Sequence, residues 1–160
     1  MLATIVLIIG LVLNALVAGL YFAFTTAVMP GLARTDDRDY VTAMQRIDRA
    51  IQNGWFFTAF LGALLAPVVA AFLHLGHDGR PRLPWIVAGA VLYGITLAIT
   101  GLVNIPLNNR LAAAGTVDAR TAPGVRAMYH GRWTRFNDLR TVLCTAAVTV
   151  LAIALSQPFG

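Results

Sequence analysis

Lysine and glutamate are missing from this chain altogether, cysteine occurs once, and histidine three times. The twelve basic residues are therefore all arginine, and the seven acidic residues are all aspartate. Charged residues make up 12% of the sequence, against about a quarter in soluble globular domains. That shortage excludes an ordinary water-soluble domain. The lone Cys144 excludes an internal disulfide and reads as a small core residue. Three histidines, one cysteine and no glutamate are a poor ligand set for a metal. No two histidines have ligand spacing within an apolar run, which argues against a bis-histidine haem there. Neither a phosphate-binding glycine loop nor a nucleophile elbow occurs. We expect no metal and no cofactor.

What the chain has in quantity is hydrocarbon. Hydrophobic residues make up 58% of it, and the mean hydropathy is +0.72. Charge-free runs cover residues 1–33, 50–77, 83–109 and 141–160. Each is long enough to cross a membrane as a helix, which takes roughly 20 apolar residues, whereas a barrel strand is about ten and alternates. The sequence predicts an all-α membrane protein with a single domain, 1–160. Its core is a bundle of four transmembrane helices at about 2–28, 55–73, 84–103 and 141–156. The first run has no basic residue ahead of it and exceeds the length of a signal core, so it is expected to be a span.

The arginines sort by loop. Residues 29–54 hold four, 104–140 hold six, 74–83 hold two, and the terminal segments hold none. Loops one and three share a side. The positive-inside rule therefore predicts a multi-pass cell-membrane protein with those two loops in the cytoplasm and both termini outside. Membrane orientation explains the basic excess, and no nucleic-acid partner is expected. The expected partners are the lipid bilayer and a lipophilic small molecule, with homo-oligomerisation left open.

The longer loops carry helical signals of their own. Val41, Met44, Ile47, Ile51 and Trp55 recur at helical spacing behind the capping types Thr35, Asp36 and Asp37. This predicts an amphipathic interfacial helix in loop one that runs into span two. In loop three, Gly115 and Thr116 break the chain, and Thr121-Ala-Pro123 starts a short helix directed towards span four. HDGRPRLP, 77–84, reads as a turn, and no repeat is visible.

Polar residues within the apolar runs form stripes. Asn14, Tyr21 and Thr25 share one face of span one, and Tyr93, Thr96, Thr100 and Asn104 share one face of span three. His130, Trp133, Asn137, Arg140 and Cys144 share another if the helix is continuous there. Gln45, Asp48 and Gln52 stack on the interfacial helix. Except for Asn14 and Tyr93, these groups gather at one end of the bundle. Unpaired polar groups are costly in hydrocarbon, so the stripes face the bundle interior and outline a pocket at its cytoplasmic mouth. Pro106 is expected to interrupt the helical ladder near Gly101 and Leu102. Asn104 and Asn108 either cap the end of span three or line that pocket. Tyr93, Thr96 and Thr100 read first as helix-packing residues, and Trp133 also suits an interfacial belt.

Four segments in this order resemble the anthrone oxygenase-like family of small integral membrane proteins. They are Val-Met-Pro-Gly-Leu at 28–32, Ala-Met-Gln-Arg-Ile-Asp at 43–48, Asn-Ile-Pro-Leu-Asn-Asn at 104–109 and Trp-x-x-x-Asn-x-x-Arg at 133–140. The resemblance extends over 1–157. It implies a membrane-bound oxygenase that acts on a lipophilic phenolic or quinol-like molecule, with molecular oxygen as co-substrate and no established cofactor. Taken with the convergence of the stripes, it leads us to expect Arg140 with Asn104, Asn108 and Asn137 as an oxyanion clamp, and His130 or Asp48 as base. Trp133 and Tyr21 would stack on the ring, with Gln45 and Gln52 also in the binding region. Asp48 stands where the family commonly has asparagine, so an amide is exchanged here for a group able to accept a proton. Two alternatives remain open at this stage. One is a non-enzymatic membrane protein that binds a lipophilic ligand or a partner subunit, with Gly10, Asn14 and Ala18, or Gly89, Tyr93 and Leu97, as its contact stripe. The other is a bundle whose amides only knit helices together.

Overall fold

The computed structural model describes residues 1–76 and 80–158. It contains five long helices: α1 (Leu2–Leu32), α2 (Asp37–Ile51), α3 (Gly54–Leu73), α4 (Leu83–Ala113) and α5 (Ala122–Ser156). The described residues contain no strand. Helices α1, α3, α4 and α5 are long and apolar enough to cross a membrane. They form an up-down-up-down bundle in which α1 packs on α3 and α5, and α4 packs on the same two from the opposite corner. Ile5, Ile8, Ile9, Val12 and Leu16 on α1 are exposed, as are Leu61, Leu65 and Val69 on α3. Apolar surface on that scale belongs against lipid. The four-span membrane bundle expected from the sequence is the observed fold. The turn expected over HDGRPRLP begins on three residues outside the described ones.

Three helices are longer than the sequence predicts. Span one runs to Leu32 instead of 28, and span three to Ala113 instead of 103. The helix in loop three is not separate, because it is continuous with span four in one 35-residue helix. Proline fails to end α1 and α4 for a local reason. A widened π turn, Phe24–Val28 in α1 and Thr100–Asn104 in α4, comes just before Pro30 and Pro106. Proline removes one ladder hydrogen bond and crowds the carbonyl four residues back. A wide turn placed just there shifts that carbonyl and lets the helix continue. The two devices stand 76 residues apart (100 − 24, and 106 − 30).

Length then decides architecture. At 1.5 Å per residue, α1 and α4 are about 46 Å long, α5 about 52 Å and α3 about 30 Å. Only α3 matches a hydrocarbon layer of about 30 Å. The other three project beyond it at the arginine-rich end. Helix α2 lies across the projecting part, capped by Asp36, whose carboxylate accepts the Asp39 N–H at 2.8 Å. It stops at Gln52, and Asn53 caps α3 by accepting the Phe56 N–H at 3.0 Å. The interfacial helix and span two are thus two helices with a sharp joint. Tyr40, Val41 and Met44 of α2 pack on Leu107 and Leu111 of α4 and on Tyr129 and Trp133 of α5.

The membrane-embedded half is held by close approach and a few deep polar contacts. Asn14 Nδ2 donates to the carbonyls of Gly10 (3.0 Å) and Ala63 (2.6 Å), which ties α1 to α3. Gly10 and Gly89, each in a candidate partner stripe, instead face the bundle. A Cβ on Gly10 would lie 2.9 Å from Pro67 Cδ, and one on Gly89 would lie 2.7 Å from Leu151. The proline ring is rigid and cannot yield. Gly10→Ala should therefore destabilise the protein by about 1–3 kcal/mol. This reads as a lower thermal midpoint in detergent, and an unchanged midpoint would contradict the packing described.

Candidate functional site

The shortness of α3 leaves the fourth corner of the projecting head without a helix. The end of α2 roofs that corner, and beneath it lies a cavity of about 250 Å³. Its walls come from all five helices: Tyr21 and Phe24 of α1, Asp48 and Gln52 of α2, Phe56 and Phe60 of α3, Thr100, Asn104 and Asn108 of α4, and Tyr129, Trp133, Asn137 and Arg140 of α5.

Arg140 is the electrostatic centre. It is 4% exposed and lies within a membrane-spanning helix. Nη1 donates to Thr100 Oγ1 at 3.1 Å, and Nη2 donates to Asn137 Oδ1 at 3.0 Å. The guanidinium covers the Tyr21 ring at 4.2 Å and approaches the Trp133 ring at 5.5 Å. Among the described residues the salt bridge is Arg126–Asp37, so no carboxylate neutralises Arg140. Residues lining this cavity also carry buried polar atoms without a hydrogen-bond partner, namely Arg140 Nε, Tyr21 Oη and Asn104 Oδ1. Among the described residues, the Asn104 side chain makes one long bond, 3.5 Å from Nδ2 to the Trp133 carbonyl.

A second polar group closes the roof. Asn108 Oδ1 accepts from Trp133 Nε1 at 2.8 Å and from Tyr129 Oη at 3.1 Å. Two donors on one oxygen fix the amide, so Nδ2 turns to Asp48 Oδ1, 2.6 Å away. The other Asp48 oxygen receives a weak bond from Gln52 at 3.4 Å. Burial pushes the Asp48 carboxyl above the usual carboxylate range, and the Asn108 and Gln52 bonds offset part of that rise. The cavity therefore has a carboxylate at its roof and an unneutralised cation at its floor. Aromatic surfaces stand between them. Tyr129 and Trp133 stack with centroids 5.8 Å apart, and Phe56 and Phe60 stack at 5.1 Å.

Eight of the ten candidates read from sequence meet here: Tyr21, Asp48, Gln52, Asn104, Asn108, Trp133, Asn137 and Arg140. His130 and Gln45 lie elsewhere. The His130 Nδ1 is 3.1 Å from Tyr40 Oη, and His130 does not line the cavity. Gln45 donates to the carbonyls of Leu111 (2.8 Å) and Gly115 (2.9 Å), and so pins α2 to the end of α4. The amides also divide by role. Asn137 gives both Nδ2 hydrogens to Tyr21 O and Thr25 Oγ1, each at 3.0 Å, and its oxygen to Arg140. It positions the guanidinium and has no N–H left to donate to a ligand. Asn104 keeps that capacity. Neither Asn104 nor Asn108 caps a helix end, because α4 continues past both.

Tyr129 and the phenylalanines of α3 were not singled out from sequence. Tyr129 precedes Trp133 by four residues and His130 precedes it by three, so both spacings suit one helix face. Only the position of α2 decides between them.

Folding favours the protonated form of Asp48, because its pKa is raised in the folded state. Its contribution to stability should improve as pH falls from neutral through the raised pKa, then level off below the ordinary carboxylate range. Asp48→Asn should lack this gain. Thermal midpoints of both proteins across acidic pH provide the check, and parallel curves would contradict it.

Compared with known proteins, a sequence profile described as Anthrone oxygenase matches residues 55–150. No curated protein and no solved structure matches the chain. The matched stretch contains Asn104, Asn108, Trp133, Asn137 and Arg140, while Tyr21 and Asp48 lie outside it.

Proposed function

Since the chain belongs to the anthrone oxygenase family, whose profile spans more than half of it, we propose that the cavity takes up a lipophilic phenolic or quinol-like molecule and oxidises it with molecular oxygen. The observation that carries this reading is Arg140, a cation 4% exposed at a spanning position with no carboxylate beside it. A charge at that depth is costly unless something balances it. An anionic ligand does so, and the unpartnered Arg140 Nε–H and Tyr21 O–H can donate to it.

The geometry supports the following roles. The ring lies between the Tyr129–Trp133 and Phe56–Phe60 surfaces. Asp48 takes the proton, since its raised pKa brings it nearer to the pH at which a carboxylate works as a base. The negative charge left on the ligand oxygen is held against Arg140, with Thr100 and Asn137 fixing the guanidinium. For an anthrone, the proton leaves the ring CH₂ and gives an electron-rich anion. The anion passes electrons to oxygen, a C–O bond forms, and the resulting hydroperoxide loses water to leave a ketone. The balance is CH₂ + O₂ → C=O + H₂O. Binding without oxidation is the second reading, and the unneutralised arginine supports it equally.

The test is anthrone oxidation by the detergent-purified chain, followed by absorbance and by oxygen consumption. Asp48→Asn and Arg140→Gln should each slow it by about 100-fold or more. Folded Arg140→Gln protein turning over at the wild-type rate would overturn the assignment. In parallel, 2-naphthol bound by the wild-type chain should emit as the naphtholate. Naphtholate binding without oxygen consumption would select the second reading.

A further inference from the structure

The cavity has a neighbour on the same helix seam. Between α3 and α4, nearer the other end of the bundle, lies a groove of about 460 Å³ lined by apolar residues that include Leu64, Val68, Ala71, Val87 and Ala90. On α3, the residues facing the two recesses form one stripe. Phe57 and Phe60 line the cavity, and Leu64, Val68 and Ala71 line the groove, at spacings of three and four. On α4, Ile105 lines the cavity and Val91 and Val87 line the groove. The residues between them on that face are Gly94, Ala98 and Gly101. A Cβ on Gly94 or on Gly101 would meet nothing within 4 Å, so the seam stays open there. Tyr93 fastens α3 to α4 from the buried side, donating to the Phe60 carbonyl at 2.8 Å, and leaves the outer seam clear.

The cavity is also small. At about 250 Å³ it falls below the 300–1,000 Å³ usual for ligand sites. It holds a compact ring system and little more. Its rim on this side, Phe57 and Ile105, is 46% exposed at each residue, and Phe57 stands on the spanning helix α3.

We propose that the ligand is an amphiphile, with a phenolic head in the cavity and a single long hydrocarbon tail lying along the α3–α4 seam into the apolar groove. This rests on the proposed function for the head and adds the tail. The seam along α3 from Phe57 to Phe72 rises about 22 Å, within the hydrocarbon thickness of about 30 Å. A tail so placed stays at membrane depth throughout. The head reaches the polar floor sideways from the bilayer, without passing through water.

Two probes separate head from tail: 2-naphthol and 6-dodecyl-2-naphthol, bound to the full chain in detergent micelles and corrected for partitioning. The wild type should bind the tailed probe more tightly. Gly94→Leu and Ala90→Phe narrow the seam and the groove, respectively. Each should weaken the tailed probe by about ten-fold or more, the cost of forcing extra volume into a packed site. Binding of 2-naphthol should be unchanged, which also reports that the variants are folded. Arg140→Gln should weaken both probes. Equal binding of the two probes by the wild type, or tailed binding indifferent to both seam variants, overturns the proposal while leaving the head site intact. If the seam variants change the oligomeric mass and not the binding, the groove holds a second copy and the proposal fails. Failure of the wild type to bind either probe removes the head site itself, and the tail with it.

Discussion

A mismatch in length organises this protein. Three spanning helices are far longer than the hydrocarbon layer is thick, and the remaining one is not. The excess has to fold into something outside the layer. It does so as a small head in which α2 lies on the ends of α1, α4 and α5. Because α3 ends at the layer, one corner of that head has no helix, and the cavity occupies it. The position of the site is set by where one helix stops.

Helices that run on past the layer carry polar residues past it as well. The stripes on α4 and α5 begin in hydrocarbon and end in the head, so Arg140 lies deep while Asp48 lies at the roof. Their opposite charges do not pair, because the cavity separates the two elements that carry them. Asn137 and Asn108 do similar work at the two ends. Each uses most of its hydrogen-bonding capacity on protein groups, and each thereby aims a charged side chain. Two amides that resemble ligands in a sequence pattern hold Asp48 and Arg140 in place.

The sequence carried the fold plainly where one physical term dominates. Charge-free length specified the four spans, and helical spacing specified α2. It ends α4 too early because Pro106, set against an ideal ladder, predicts an interruption there. A π turn is a cooperative property of the backbone and leaves no fixed residue signature. The site was legible as stripes, since a stripe needs only the helical period. Which of two adjacent residues faces inward was not legible. Tyr129 and His130 differ by one position and both rings pack against Tyr40, yet only Tyr129 lines the cavity. The α3 phenylalanines were hidden for a related reason, since aromatic residues at the head of a span look the same whether they meet lipid or a ligand.

The roof is fastened unevenly. At its start, Arg126 grips the carbonyls of Ala33 and Thr35 and the carboxylate of Asp37, with its guanidinium over Tyr40. At its middle, Gln45 is bonded to two carbonyls at the end of α4. Past that point the polar tie to the bundle is the Asn108–Asp48 bond. Helix α2 is thus hung like a door, with its hinge at Arg126 and its latch at Asp48. The carboxylate that stands over the cavity is also the group that ties the far end of α2 to α4, so one side chain both lines the cavity and holds its roof in place.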